Sequence, residues 1–285
     1  MKKRTGPLLI FLAALCFSLG GLFTKLLSWQ ALSIGSGRCI LSTLLIGLFM
    51  VVQKHRLVWN KTVLFGGLCL CGTVTLYVMA NKMTTAANAI VLQYSAPVFI
   101  ILFLWLFFHN RPSRLDLGTC AIVLGGIVLF FIDSLGAGKM AGNLIALLSG
   151  VCYAMVCMLN TFPAGDPLSS VFWGHLMSAL IGLPSLVRET DFSAGAISCV
   201  VILGVFQLGL GYILFTKGLE STPPVSASLI ATLEPILNPV LVAVFYGEQI
   251  TPLAILGAVV VICAVAVYNI LKTKQEEKAA VSVGE

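Results

Sequence analysis

The feature that most limits how this chain folds is a succession of long, nearly uncharged apolar runs. A helix needs about 20 apolar residues to cross a bilayer. Runs of that length recur at roughly 7–27, 33–52, 62–81, 85–108, 115–132, 142–160, 167–187, 194–215, 224–246 and 251–271. The segments between them are short and carry Gly, Pro, Asn or charge, as at 53–61, 110–114, 136–139, 163–167 and 188–191. No soluble domain fits between them. Of the 285 residues, 59% are hydrophobic and 10% charged, where a soluble domain has about 25% charged residues. Mean hydropathy is +1.03. The expected fold class is an all-α polytopic membrane protein with ten transmembrane helices.

Lys2, Lys3 and Arg4 ahead of an apolar run imitate a secretory leader. No small-x-small cleavage site follows, and Leu15 before Cys16 argues against a lipoprotein site. The run is expected to stay as the first span. The nine cysteines lie mostly within apolar runs, and Cys69-x-Cys71 has no partner pair. They read as reduced thiols acting as small apolar residues, not as disulfides or metal ligands.

One run differs from the rest. Residues 223–248, PPVSASLIATLEPILNPVLVAVFYGE, are apolar enough to cross a bilayer yet hold Glu234, Pro235, Asn238 and Pro239 in the middle. A proline within a helix removes a backbone bond and kinks it. A carboxyl at membrane depth costs on the order of 3 kcal/mol and marks a functional site by default. A kink is therefore expected at Pro235, with carbonyls freed at Ala231 and Pro235.

Residues 85–110 echo this run. With Pro97 on Pro235, Ala89 falls on Ala227, Phe107 on Phe245 and Asn110 on Glu248. At slightly different offsets Tyr77 and Lys82 match Tyr212 and Lys217, Cys16 and Phe17 match Cys152 and Tyr153, and Gly37 and Arg38 match Gly174 and His175. Their common order along the chain indicates an internal duplication, with a first repeat over 1–137, a second over 138–272, and a polar tail over 273–285 that is expected to be disordered.

Ten spans put both termini on one side. With the termini inside, inner segments hold Lys2, Lys3, Arg4, Lys54, Arg56, Lys61, Arg111, Arg114, Lys217, Lys272, Lys274 and Lys278, and outer ones Lys25, Lys82, Lys139 and Arg188. That bias of 12 to 4 favours cytoplasmic termini. The net charge of +6 is thus topological and does not point to nucleic acid. Five spans per repeat invert the second copy relative to the first. Inverted repeats with broken helices at the midplane are the pattern of a secondary transporter whose site lies between the repeats.

Residues 77–126 and 217–257 resemble the EamA-type repeats of the drug/metabolite transporter superfamily. The likeness rests on Leu-Glu-Pro at 233–235 followed by Gly-Glu-x-x-Thr at 247–251, and extends over nearly the whole chain. Asn110 stands where that family's first repeat usually has Glu. The resemblance implies a ten-helix inner-membrane carrier, usually an exporter of amino acids or other small metabolites. The related four-helix multidrug group has a membrane Glu in its first helix; this chain has none there, so that scheme of proton coupling does not carry over.

The candidate substrate-binding residues are Arg38, Tyr77, Asn88, Gln93, Tyr94, Tyr153, His175, Gln207, Tyr212, Thr232, Glu234 and Asn238, with Pro97, Pro235 and Pro239 as gating breaks. Glu234 could take a substrate amine or a proton, or cap the broken helix. Arg38 could take a carboxylate or snorkel to the interface. His175 could titrate near neutrality or pack as a hydrogen-bonded residue. The runs at 115–132 and 251–271 are nearly bare of polar groups and are expected at the lipid-facing periphery. No phosphate loop, metal-ligand spacing or nucleophile–base set appears, so neither an enzyme nor a resident cofactor is expected. The expected partners are a small-molecule substrate, the lipid bilayer and a coupling proton. The alternatives are a membrane receptor or sensor without transport, and a membrane enzyme acting on lipid.

Overall fold

The structure is a computed structural model, and it describes residues 5–84, 86–135, 140–246 and 251–282. Among these there are helices and no strands. In order they are α1 (Thr5–Leu26), α2 (Ala31–Val52), α3 (Lys61–Met83), α4 (Ala86–Gln93), α5 (Ala96–Phe108), α6 (Arg114–Phe131), α7 (Met140–Cys157), α8 (Pro167–Leu186), α9 (Ala194–Val201), a π-helical stretch (Ile202–Leu210), α10 (Gly211–Leu219), α11 (Pro224–Ala231), α12 (Glu234–Tyr246) and α13 (Pro252–Ser282). Short polar side chains begin several of them. Asn60 accepts from the Val63 amide at 2.8 Å to open α3. Ser113 and Asp116 form a reciprocal capping box at α6. Asp166 caps α8, whose first residue is a proline placed where a missing N–H removes no helical bond.

Eight helical stretches are long and apolar enough to cross a membrane: Thr5–Thr24, Ala31–Val52, Lys61–Ala80, Asn88–Phe108, Arg114–Phe131, Met140–Cys157, Ala194–Leu219 and Pro252–Lys272. The runs expected at 167–187 and 224–246 are helical but stand outside these eight. The first carries His175 and four serines; the second is interrupted and carries Glu234. Polarity is distributed inside out. Leu44, Leu48, Val51, Leu68 and Phe107 are exposed, whereas Ser33, Ser36, Ser42, Ser149, His175 and Thr232 are buried.

Helix neighbours repeat across the two halves. α2 packs on α8, and α6 on α13. α3 packs on α7 and α8, while α1 and α2 pack on α10 and the π stretch; α4 and α5 lie on α7, while α11 and α12 lie on α1. Exchanging α1 with α7, α2 with α8, α3 with the α9-to-α10 segment, α4 and α5 with α11 and α12, and α6 with α13 turns this set of contacts into itself. At the α6–α13 crossing the backbones touch: a Cβ on Gly257 would lie 2.5 Å from the Phe130 nitrogen and 2.7 Å from the Gly126 carbonyl.

The loops join in two matching groups at opposite ends. At one end the Ser28 hydroxyl donates to Asp191 Oδ2 at 2.8 Å, the Trp29 indole to the Asp191 carbonyl at 2.7 Å, and the Gln30 amide to Glu189 at 2.9 Å. Amide and hydroxyl donors from Ser193 and Ser28 hold the Asp191 carboxyl below the ordinary carboxylate range. At the other end the Val58 amide donates to Ser169 at 3.0 Å, Asn60 donates to the Ala164 carbonyl at 2.9 Å, and His55 lies 2.9 Å from Asp166.

Two expectations are corrected. The chain after Lys272 is helical through Ser282, not disordered, because Lys, Gln, Glu and Ala residues there are strong helix formers that simply prolong α13. The α6–α13 pair is also less bare than expected. Asp116 accepts from the Tyr268 hydroxyl at 2.7 Å, from Lys272 at 3.0 Å and from Ser113. The loop at 136–139 and the motif residues 247–250 lie outside the described residues.

Candidate functional site

The two prolines do not kink continuous helices; each starts a new one. α4 stops at Gln93, the chain turns through Tyr94 and Ser95, and α5 begins at Ala96 with Pro97 in its first turn. α11 stops at Ala231, turns through Thr232 and Leu233, and α12 begins at Glu234 ahead of Pro235. The backbone bonds match position for position. Tyr94 N to Ile90 O, Ser95 N to Leu92 O and Val98 N to Ser95 O correspond to Thr232 N to Ser228 O, Leu233 N to Ile230 O and Ile236 N to Leu233 O. A proline in the first turn sacrifices no helical bond, whereas one in the interior sacrifices one and clashes with the turn before it. Breaking two residues earlier is the cheaper solution, and both repeats adopt it. Pro239 falls within α12; its side chain lies outside the described ones.

The breaks meet. The Tyr94 hydroxyl, from the turn of the first, donates to Glu234 Oε2, at the start of the second, at 2.6 Å. Glu234 also sits in the first turn of α12, where the helix dipole favours a negative group. Tyr153 of α7 packs edge-on against Tyr94 with ring centroids 5.8 Å apart. Its hydroxyl lies beside Cys157 and makes no hydrogen bond among the described residues. Tyr77, partly buried against Ala80, Ala89 and Ala146, is within electrostatic reach of Tyr94.

Arg38 points to the same centre. Its Nη1 donates to Gln207 Oε1 at a long 3.4 Å, and its buried Nε has no hydrogen-bond partner among the described residues. Glu234, Tyr212 and His175 all lie within reach of its charge. The guanidinium turns inward, towards Gln207. Gln207 is carried on the π stretch, whose extra residue per turn is a common device at functional sites. His175 is buried; its Nδ1 is 3.2 Å from the Ser42 hydroxyl and its ring meets Tyr212 edge-on at 4.8 Å. Its Nε2 has no hydrogen-bond partner among the described residues. Arg38, Tyr94, Tyr153, His175, Gln207, Tyr212 and Glu234 thus form one cluster, with Tyr77 at its edge.

Other expected site residues serve as tethers. Gln93 donates to Ser149 at 2.8 Å, and Ser149 to the Thr73 carbonyl at 3.0 Å. Asn88 donates to Thr84 and Asn143. Thr232 bonds back to the Leu229 carbonyl of its own helix. Asn238 faces α1 at Gly21. The first break is also pressed directly on α7: a Cβ on Gly150 would lie 2.8 Å from the Leu92 carbonyl and 2.9 Å from that of Gln93. Ser42 and Ser149 were not among the expected residues. Each stands four positions from one that was, Arg38 or Tyr153, on the same helix face, and that spacing was the available signal. A polar-rimmed cavity of about 390 Å³ opens between the end of α7 and the α10–α11 loop, lined by Cys157, Asn160, Thr161 and Thr222. Cys157 connects it to Tyr153 and so to the cluster.

Comparison with known proteins agrees with this architecture. The EamA-like transporter family matches residues 4–132 and again 140–270. An uncharacterized transporter, YwfM, of Bacillus subtilis (strain 168) is 25% identical over 98% of this chain and 99% of its own. The threonine/homoserine exporter RhtA of Escherichia coli (strain K12) is 26% identical over 85% of this chain and 82% of its own. Solute carrier family 35 member G1 of Homo sapiens is 23% identical over 94% and 79%. A solved crystal structure superposes with a TM-score of 0.81 at 17% identity, covering 94% of this chain and 98% of that one. With one match in each half and the two matches spanning most of its length, the chain belongs to the EamA-like transporter family and carries that family's domain twice.

Proposed function

We propose that this multi-pass membrane transporter is a secondary carrier that exports amino acids or similar small metabolites by alternating access. It has ten spanning helices in two inverted repeats and lies in the plasma membrane with both termini in the cytoplasm. The observation that carries the proposal is the hydrogen bond from Tyr94 to Glu234. The first break is tied to α7 through Gln93 and Gly150, and α12 packs on α1. The bond therefore links a body built on α3, α7 and α8 to one built on α1, α2 and α10. Relative motion of those bodies would make and break it.

The rest of the cluster supports this. Glu234 suits a substrate ammonium or a proton, and Arg38 with its spare Nε suits a carboxylate. Opposite charges with tyrosine rings between them fit a zwitterion with a small side chain, and the exporter named for threonine and homoserine is among the relatives. Inversion is supported by the loop groups, since exchanging the repeats carries the cluster at one end onto the cluster at the other. The test is counterflow in proteoliposomes loaded with unlabelled amino acids. Accumulation of external label above protein-free vesicles is expected. Solute binding without exchange would replace the carrier by a receptor, and neither binding nor exchange across a pooled metabolite set would remove both.

A further inference from the structure

We propose that the groove between α5 and α6 binds an anionic phospholipid of the cytoplasmic leaflet; this rests on the topology given under Proposed function. The groove encloses about 550 Å³. Its wall is Val98, Ile101, Leu102 and Trp105, which at spacings of three, four and seven form a single stripe along α5, with Leu117 opposite on α6. Val98, Leu102, Trp105 and Leu117 are all exposed although apolar, so the concavity is a slot for hydrocarbon. Trp105 stands one turn before the end of α5, the level at which indoles anchor at the membrane interface.

Arg111 and Pro112 close one end of the slot. Arg111 is exposed, as is Arg114 one turn further on, and none of the ion pairs among the described residues uses either. A guanidinium at the mouth of an acyl-sized slot, with a second three residues on in the chain, is complementary to a phosphate esterified to hydrocarbon chains.

The duplication supplies an internal control. With Pro97 on Pro235, Trp105 falls on Ala243, Arg111 on Gln249 and Arg114 on Pro252. Under the proposed inversion the corresponding stretch faces the opposite leaflet, and at these three positions its sequence has neither an indole nor a base. The cytoplasmic leaflet is where anionic lipid gives a membrane its negative surface, and the basic version of the groove is the one placed there.

The full-length protein, purified in detergent, is mixed with equal amounts of phosphatidylglycerol and phosphatidylcholine of the same acyl chains, and retained lipid is measured by native mass spectrometry. Wild type should retain several-fold more phosphatidylglycerol. Arg111→Gln should abolish that preference, while Arg188→Gln at the other end should not change it. Phosphatidylglycerol with brominated chains should quench wild-type fluorescence more than that of Trp105→Phe. Equal retention of the two lipids, an unchanged preference in Arg111→Gln, displacement by glycerol phosphate without chains, or labelling of the α5–α6 loop from outside the cell would each overturn the proposal. Lost counterflow with lipid preference intact overturns the carrier alone. Intact counterflow without lipid preference overturns the lipid site alone.

Discussion

Glu234 is held by a donor from the other repeat as well as standing in the first turn of α12. Glu234→Gln keeps the size and a hydrogen-bonding oxygen for Tyr94 while removing titration. The expected result is normal expression with a flattened dependence of counterflow on pH; an unchanged profile would assign Glu234 to capping alone. Both residues were legible in the sequence as polar groups beside midplane prolines. Their partnership was not, because nothing in a linear pattern says that the Tyr94 ring crosses from one repeat to the other. Arg38 shows the same limit. Its charge in an apolar run was plain, but whether it turned outward or inward depended on Gln207, 169 positions away.

At the scale of elements, the breaks and the loop clamps set how the helices are held. Gly150→Val places a branched side chain where a single Cβ already lies 2.8 Å from the Leu92 carbonyl. It should push the first break off α7 and abolish counterflow, while size-exclusion profiles still report folded protein. The clamp at Asp191 makes a pH prediction. Its carboxyl titrates lower in the folded chain than in the unfolded one. Its contribution is therefore complete above the ordinary carboxylate value and fades as pH falls toward and through the folded value. Asp191→Asn should lower Tm at neutral pH, and the difference from wild type should vanish in acid. The starts of α3, α6 and α8 were readable to within a few residues because those apolar runs begin just after the N-caps Asn60, Ser113 and Asp166. What the pattern could not distinguish was a kink from a break, since both put a proline in an apolar run, nor could it see the π stretch, whose sequence ILGVFQLGL fits an ordinary helix equally well.

For the whole molecule, the exchange of neighbours has an energetic exception. The α6–α13 pair is pinned at one end by Asp116, Tyr268 and Lys272. The shift that puts Pro97 on Pro235 gives Ala254, Phe130 and Ser134 as the counterparts of Asp116, Tyr268 and Lys272, so the matching positions cannot repeat that carboxylate-centred contact. Asp116→Ala removes the carboxylate that accepts from a tyrosine hydroxyl and an ammonium, at about 1–3 kcal/mol, and should lower Tm without moving the cluster around Glu234. Because α2 meets α8 and α6 meets α13, the two halves touch as the subunits of an isologous pair do. Residues 1–137 and 138–285 expressed as separate chains should therefore co-purify, and failure to associate would show that the link between them is needed for assembly.

A true twofold pair would form its central contact twice, once across each side of the axis. Here Tyr94 faces Glu234, but the opposite side has only Thr232 and Ala96 to offer. With both halves in one chain the two sides are free to differ, and only one of them pairs a hydroxyl with a carboxylate. The contact between the two breaks is therefore single: each chain brings one carboxylate to its centre, where a symmetric dimer would bring two.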